Sequence, residues 1–210
     1  MSNSNFEDLL DYRRMVAENY ASVRQSNANP AQTLSEFRTN RNKLFATHPQ
    51  SALSEDQKQA FKGLKYYPYN PDLRFILPID RAVEQQTIEI DLPEDGLMRL
   101  LRFGKIHFTI EAQPVSLSLF WVMGYGGGIF LPFRDQTYQT ETYGGGRYLL
   151  DTIKHADLGS NSGNLVIDFN YAYNPSCAYN PRWVCPLSPT ENRLPVMIRA
   201  GEQDYPEQLF

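Results

Sequence analysis

The spacing of apolar residues changes period once along the chain. Over residues 1–63 they recur every three to four positions: Phe6, Leu9, Leu10, Val16, Tyr20 and Val23 in one run, then Leu34, Phe37, Leu44 and Phe45 in another. That spacing lines up side chains on one face of a helix. Three helix starts are marked by a capping side chain followed three residues later by Glu or Gln: Ser4 with Glu7, Thr33 with Glu36, and Ser54 with Gln57. Asn27-Ala28-Asn29-Pro30 divides the first two helices, Pro49 ends the second, and Gly63 ends the third where a left-handed residue is wanted.

From Leu64 onward the period is two, which predicts strands at 73–79, 86–92, 97–112, 115–123, 128–133, 147–150, 164–170 and 194–200. In Lys105-Ile106-His107-Phe108-Thr109-Ile110-Glu111 apolar and polar residues take opposite faces, the mark of an antiparallel strand wetted on one side. Pro132 places its strand at an edge or on a bulge. Gly124-Tyr125-Gly126-Gly127-Gly128 reads as a hairpin turn that needs positive φ angles. The predicted fold is α+β: a helical N-terminal arm over 1–63, then an antiparallel β-barrel or β-sandwich over 64–210.

Composition sharpens this division. The arm holds one of the 13 glycines, two of the 14 prolines and two of the 13 tyrosines, and its net charge is +1 against -5 for the rest. With 20 basic and 24 acidic residues in all, the chain has the wrong sign for neutralising phosphates, so nucleic acid is not an expected partner. The longest apolar-rich run, Val115 to Met123, is far short of the roughly 20 residues that span a bilayer. The start MSNSNFEDLL has neither the basic nor the apolar region of a secretory signal. The expectation is a soluble cytoplasmic protein with no membrane partner.

Three segments differ from ordinary β-protein surface: LPFRDQTYQTETYGGGRYLL (131–150), DFNYAYNPSCAY (168–179) and CPLSPTENRLPVMIRAGE (185–202). Together with FKGLKYYPYNPDLR (61–74), they resemble the bacterial and archaeal family called domain of unknown function 1684, over about 30–202. The resemblance rests on an ordered set: a PFRD box, an ETY box leading to GRYL, a DFN box leading to AYNP-x-CAY, and CPL followed by EN and AGE. It implies kinship and carries over no activity, cofactor or functional residue.

The site is therefore read from the residues. Alternation puts Asp168 and Asn170 on one strand face, and Glu141 with Tyr143 on another if that segment is extended. Arg147 follows three glycines whose backbone amides can approach an anion closely. Arg134 and Arg147 are natural partners for Asp135, Glu141, Asp168 or a ligand carboxylate. Tyr173 and Asn174 belong to a loop too aromatic to be purely solvated. The leading expectation is a pocket at one end of the β domain, lined by Arg134, Asp135, Glu141, Tyr143, Arg147, Asp168, Asn170, Tyr173 and Asn174, that takes a small polar or anionic molecule. In a hydrolase alternative, Asp168 or Glu141 is the general base and Arg147 stabilises developing negative charge. The bland alternative for the same charges is a buried network that fixes loops onto the sheet. A third expectation is an interaction module that forms a homodimer through the apolar stripes of the arm.

No cofactor or metal site is expected. Cys177 and Cys185 lack zinc-ribbon spacing and have only His48, His107 and His155 as further ligands. Their readings are a disulfide, a catalytic thiol, or two buried and inert thiols. His48 and His107 read as solvated.

Overall fold

A computed structural model describes residues 5–93 and 96–205. The arm contains α1 (Asn5–Gln25), α2 (Pro30–Thr47) and the short α3 (Glu55–Ala60). Ser4 lies outside the described residues. Helix α2 starts earlier than Thr33: Asn29 caps it by accepting from the Ala31 amide, and Pro30 fills the first turn, where its missing N–H is no loss. Ser54 and Gln57 form the reciprocal capping box that the sequence predicts. Gly63 does adopt a positive φ of 112°, but the helix has already stopped at Ala60.

Among the described residues the body contains eight strands: β1 (Arg74–Leu77), β2 (Gln86–Leu92), β3 (Gly96–Ile110), β4 (Gln113–Val122), β5 (Gly128–Phe133), β6 (Arg147–Asp151), β7 (Ser160–Asn161) and β8 (Asn164–Asp168). Strands β2 to β6 form a five-stranded sheet in chain order, and β1-β8-β7 form a separate three-stranded one; every pairing is antiparallel. Neither sheet closes into a barrel. Pro132 sits in an interior strand and takes the bulge option, with the register of β5 on β6 shifting between Leu131 and Pro132. The β4–β5 connection is a glycine turn with Gly124, Gly126 and Gly127 at positive φ.

The main core lies between the sheets. Phe75 and Ile167 from the small sheet meet Ile106, Phe108, Leu117, Leu119, Leu131 and Phe133 from the large one. Phe169 is fully buried among Phe75, Phe108 and Phe133, with ring centroids 5.2–6.2 Å apart. Side chains of this size each add about 1.5–3 kcal/mol when removed from water.

Residues 194–200 form no strand. Their burial alternates as predicted: Leu194, Val196, Ile198 and Ala200 point into the core, and Arg193, Pro195, Met197 and Arg199 point out. Pro195 has no N–H to donate, and backbone pairing is limited to 134–136: the Arg134 and Gln136 amides donate to the Asn192 and Val196 carbonyls, the Leu194 amide donates to the Arg134 carbonyl, and side chains take over beyond Val196. The Ile198 amide donates to Asp135, while the carbonyls of Ile198, Ala200 and Glu202 accept from Arg147.

The arm packs on the body at two places. Tyr20, Leu34 and Phe37 cluster with Ala156, Leu158 and Tyr171, and Phe45, Ala52 and Leu53 with Leu64, Ala178, Tyr179 and Tyr205. Most of the predicted apolar stripe is used here, leaving Phe6 and Leu10 exposed. His48 is buried rather than solvated. It follows α2, accepts from the Gln50 amide, and lies 3.4 Å from Asp11. Exposed His107 faces Asp80 at 3.1 Å. Among the described residues, no helix is long and apolar enough to cross a membrane.

Candidate functional site

The nine residues expected to share one pocket separate into four places. Arg147 and Asp135 form a buried ion pair at 3.2 Å, and Arg147 also donates to the three carbonyls of 198–202. Asp135 accepts in addition from Thr137 and from the Ile198 amide. Every one of these partners belongs to the protein, so the pair matches the structural network and not an open anion site. Arg134 stacks on Tyr138, with its guanidinium 4.5 Å from the ring centroid.

Glu141 turns outward. Residues 137–142 make a turn instead of an extended strand, so Glu141 and Tyr143 share no face. Arg199 grips Glu141 through both carboxylate oxygens at 2.7–3.1 Å, and the Tyr67 hydroxyl donates at 2.9 Å. The Arg199 hydrogen bonds hold the Glu141 carboxyl below its usual range. Burial, followed by the bond to Glu141, pushes the Tyr67 hydroxyl up to about 12.

Asp168 and Asn170 do meet, by a different route from strand alternation. Strand β8 stops at Asp168, whose carboxylate caps a 3-10 turn over Phe169–Tyr171 by accepting from the backbone and side-chain amides of Asn170. The Asn170 side chain then bonds both backbone groups of Asn70. Burial raises the Asp168 carboxyl despite these donors. Arg74 stands 3.7 Å away, and both residues line a recess of about 600 Å³ between the α1–α2 connection and β8.

Tyr173 and Asn174 lie elsewhere, against the arm. They line a cavity of about 360 Å³ whose walls come from α1, α2, Tyr148 of β6 and the 173–185 loop. Its apolar surface includes Tyr12, Tyr20, Phe45 and Trp183, and its charged lining residues are Arg13, Arg41 and Lys154, with no carboxylate among them. Arg41 crosses from α2 to Glu202 at 3.2 Å, both buried, and the Tyr179 hydroxyl donates to the same carboxylate. Glu202 also accepts from the Asn174 amide. Three buried polar atoms of residues that line this cavity have no protein partner: the Tyr173 hydroxyl, the Asn174 side-chain oxygen and Arg41 Nε.

Arg41, Tyr179 and Glu202 were not anticipated. One signal was available: Arg41 sits four residues after Phe37 and four before Phe45, a charge on the apolar face of α2.

Cys177 and Cys185 are free, half-buried thiols in contact with each other. The Cys177 amide donates to the Cys185 sulfur at 3.4 Å, and the Tyr143 hydroxyl donates to the Cys177 sulfur at 3.5 Å. Cys185 lines the 360 Å³ cavity.

Residues 59–203, most of the chain, match the family described as "Protein of unknown function (DUF1684)". The chain belongs to that family. The matched residues include Tyr173, Asn174, Tyr179, Glu202 and both cysteines, whereas Arg41 and the rest of α1 and α2 precede them. A solution NMR structure of an uncharacterized protein from gene locus rrnAC0354 of Haloarcula marismortui is similar, with a TM-score of 0.59 and 29% identity. That similarity covers 84% of this chain and 95% of the archaeal one. No curated protein matches the chain.

Proposed function

We propose that this protein binds a small molecule with an aromatic or apolar body and an anionic end in the cavity between the helical arm and the β body, which reads as a two-layer sandwich. The observation that carries the reading is the pairing, at one cavity, of an aromatic wall with three buried polar atoms that lack protein partners, on Tyr173, Asn174 and Arg41. A buried polar group left unpaired costs about 1–3 kcal/mol, and a ligand that supplies the partner recovers that cost. The Tyr173 hydroxyl donates to an acceptor on the ligand, and the Asn174 oxygen accepts from a ligand N–H or O–H. Exposed Arg13 and Lys154 supply positive charge at the same lining, which suits a carboxylate.

The chemistry of the site supports binding more than turnover. Arg147, Glu141 and Asp168 stand at three separate places and each is engaged by other residues of the chain, so neither of these two carboxylates faces Arg147. Thermal unfolding of the full chain in the presence of indole and phenyl carboxylates tests the reading. A saturable rise in the midpoint that is weakened in Lys154→Ala and absent with the matching amides is expected, because a ligand that binds only the folded state stabilises it by mass action. A midpoint unchanged by every member of both series overturns it.

A further inference from the structure

We propose that Cys185 and Cys177 form a redox-active dithiol in which a hydroperoxide oxidises Cys185 and Cys177 resolves the product to an intramolecular disulfide. Three features of the geometry support this. The Cys185 sulfur accepts backbone amides from the 3-10 turn at 176–178, including Cys177 at 3.4 Å, and such amides favour a thiolate. The Tyr143 hydroxyl donates to the Cys177 sulfur and the Cys177 backbone amide donates to the Cys185 sulfur, so the two sulfurs lie side by side in one run of donors. Cys185 also lines the 360 Å³ cavity, which gives a small oxidant a route, and Lys154 adds positive charge there.

The contact with Cys177, supported by the backbone amides and the Lys154 charge, lowers the Cys185 thiol from its usual range. The same contact and burial raise Cys177. Cys185 is therefore the more readily ionised thiol of the pair and the one placed to attack first.

In the first step the Cys185 thiolate attacks one peroxide oxygen. An S–O bond forms to the terminal oxygen, the O–O bond breaks, and the departing hydroxide, or the alkoxide of an alkyl hydroperoxide, takes a proton from solvent to become water or an alcohol. The sulfur loses two electrons to the peroxide and becomes a sulfenic acid. In the second step the Cys177 sulfur displaces the hydroxyl. An S–S bond forms, the S–O bond breaks, and the hydroxyl leaves with the Cys177 proton as water. The disulfide closes a loop that carries Tyr179 and Trp183, two walls of the cavity, so oxidation also stiffens that wall. The inference is independent of what the cavity binds.

The test uses the reduced full chain. Short iodoacetamide pulses across a pH series, read by peptide mass spectrometry, are expected to label Cys185 with a midpoint clearly below that of an ordinary thiol while Cys177 labels only at higher pH. Equimolar hydrogen peroxide, followed by denaturation and alkylation, is expected to give a Cys177–Cys185 cross-linked peptide in the wild type. Dimedone is expected to trap a sulfenic acid on Cys185 in Cys177→Ser. Should that variant fail to fold, the wild-type pH profile and cross-link decide alone. Labelling of Cys185 that follows an ordinary thiol near about 8.5 overturns the proposal, as does peroxide converting Cys185 to sulfinic acid without a cross-link.

Discussion

Arg41 on α2 and Glu202 near the end of the body meet at 3.2 Å, with Glu202 almost wholly buried and Arg41 nearly so. The pair joins the arm to the segment that closes the core, and Tyr179 and Asn174 donate to its carboxylate. Removing one partner leaves a buried charge without compensation. Arg41→Met is expected to lower unfolding free energy by about 3–5 kcal/mol, whereas Arg41→Met combined with Glu202→Leu recovers much of the loss. Urea denaturation of the two variants checks this; a single variant as stable as wild type would show that the pair is not holding the arm.

Arg147 is expected to resist even conservative replacement. Its planar fork reaches three carbonyls and Asp135 together, which one ammonium group cannot do. Each buried acceptor left unsatisfied costs about 1–3 kcal/mol, so Arg147→Lys loses a few kcal/mol. Hydrogen exchange should show faster opening of residues 194–202 before the sheets respond.

Tyr173→Phe separates stability from binding. It deletes a hydroxyl that has no partner in the protein, so the variant is expected to be as stable as wild type or more so, by up to about 1 kcal/mol. Its affinity for the carboxylate series is expected to fall by roughly fivefold, the equivalent of one neutral hydrogen bond. Calorimetry on both proteins reads the two effects.

Glu141 provides a pH signature. Its folded-state carboxyl lies below the unfolded value through the Arg199 hydrogen bonds, so the stabilisation is present above about 4.3 and disappears as pH falls through the folded value. Glu141 is partly exposed, which limits the effect to about 1 kcal/mol at most. Asp151 and Asp168, raised by burial, act in the opposite direction. Denaturation midpoints of wild type and Glu141→Gln should therefore be compared at each pH, and the gap between them should close on the acid side.

The elements that were legible in the sequence are those decided by local pattern. The Ser54–Gln57 box, the glycine turn after β4 and the bulge at Pro132 each follow from residues within a few positions of one another. Residues 194–200 show the limit of that reading. Their alternation correctly reports which side chains are buried, but alternation measures burial and not hydrogen bonding, and here backbone pairing with 134–136 ends at Val196, beyond which Arg147 and Asp135 take the place of a neighbouring strand. The candidate site was partly legible for a similar reason. Tyr173 and Asn174 stood out by composition, whereas Arg41 and Glu202 are 161 positions apart and each looks like an ordinary surface charge until the arm is docked.

The segment from Asn192 to Gln203 has a consequence for the order of folding. The Asn192 side chain bonds Ser118 and Pro132 where β4 and β5 separate, Ile198 reaches Asp135, Glu202 reaches Arg41, and the Gln203 amide reaches Lys65. These contacts span most of the chain, and such distant pairings form late because their loops must close first. A nascent chain that has emerged from the ribosome only as far as β8 thus holds both sheets but lacks the clasp between them, with apolar faces open to chaperones until the last residues of that segment arrive.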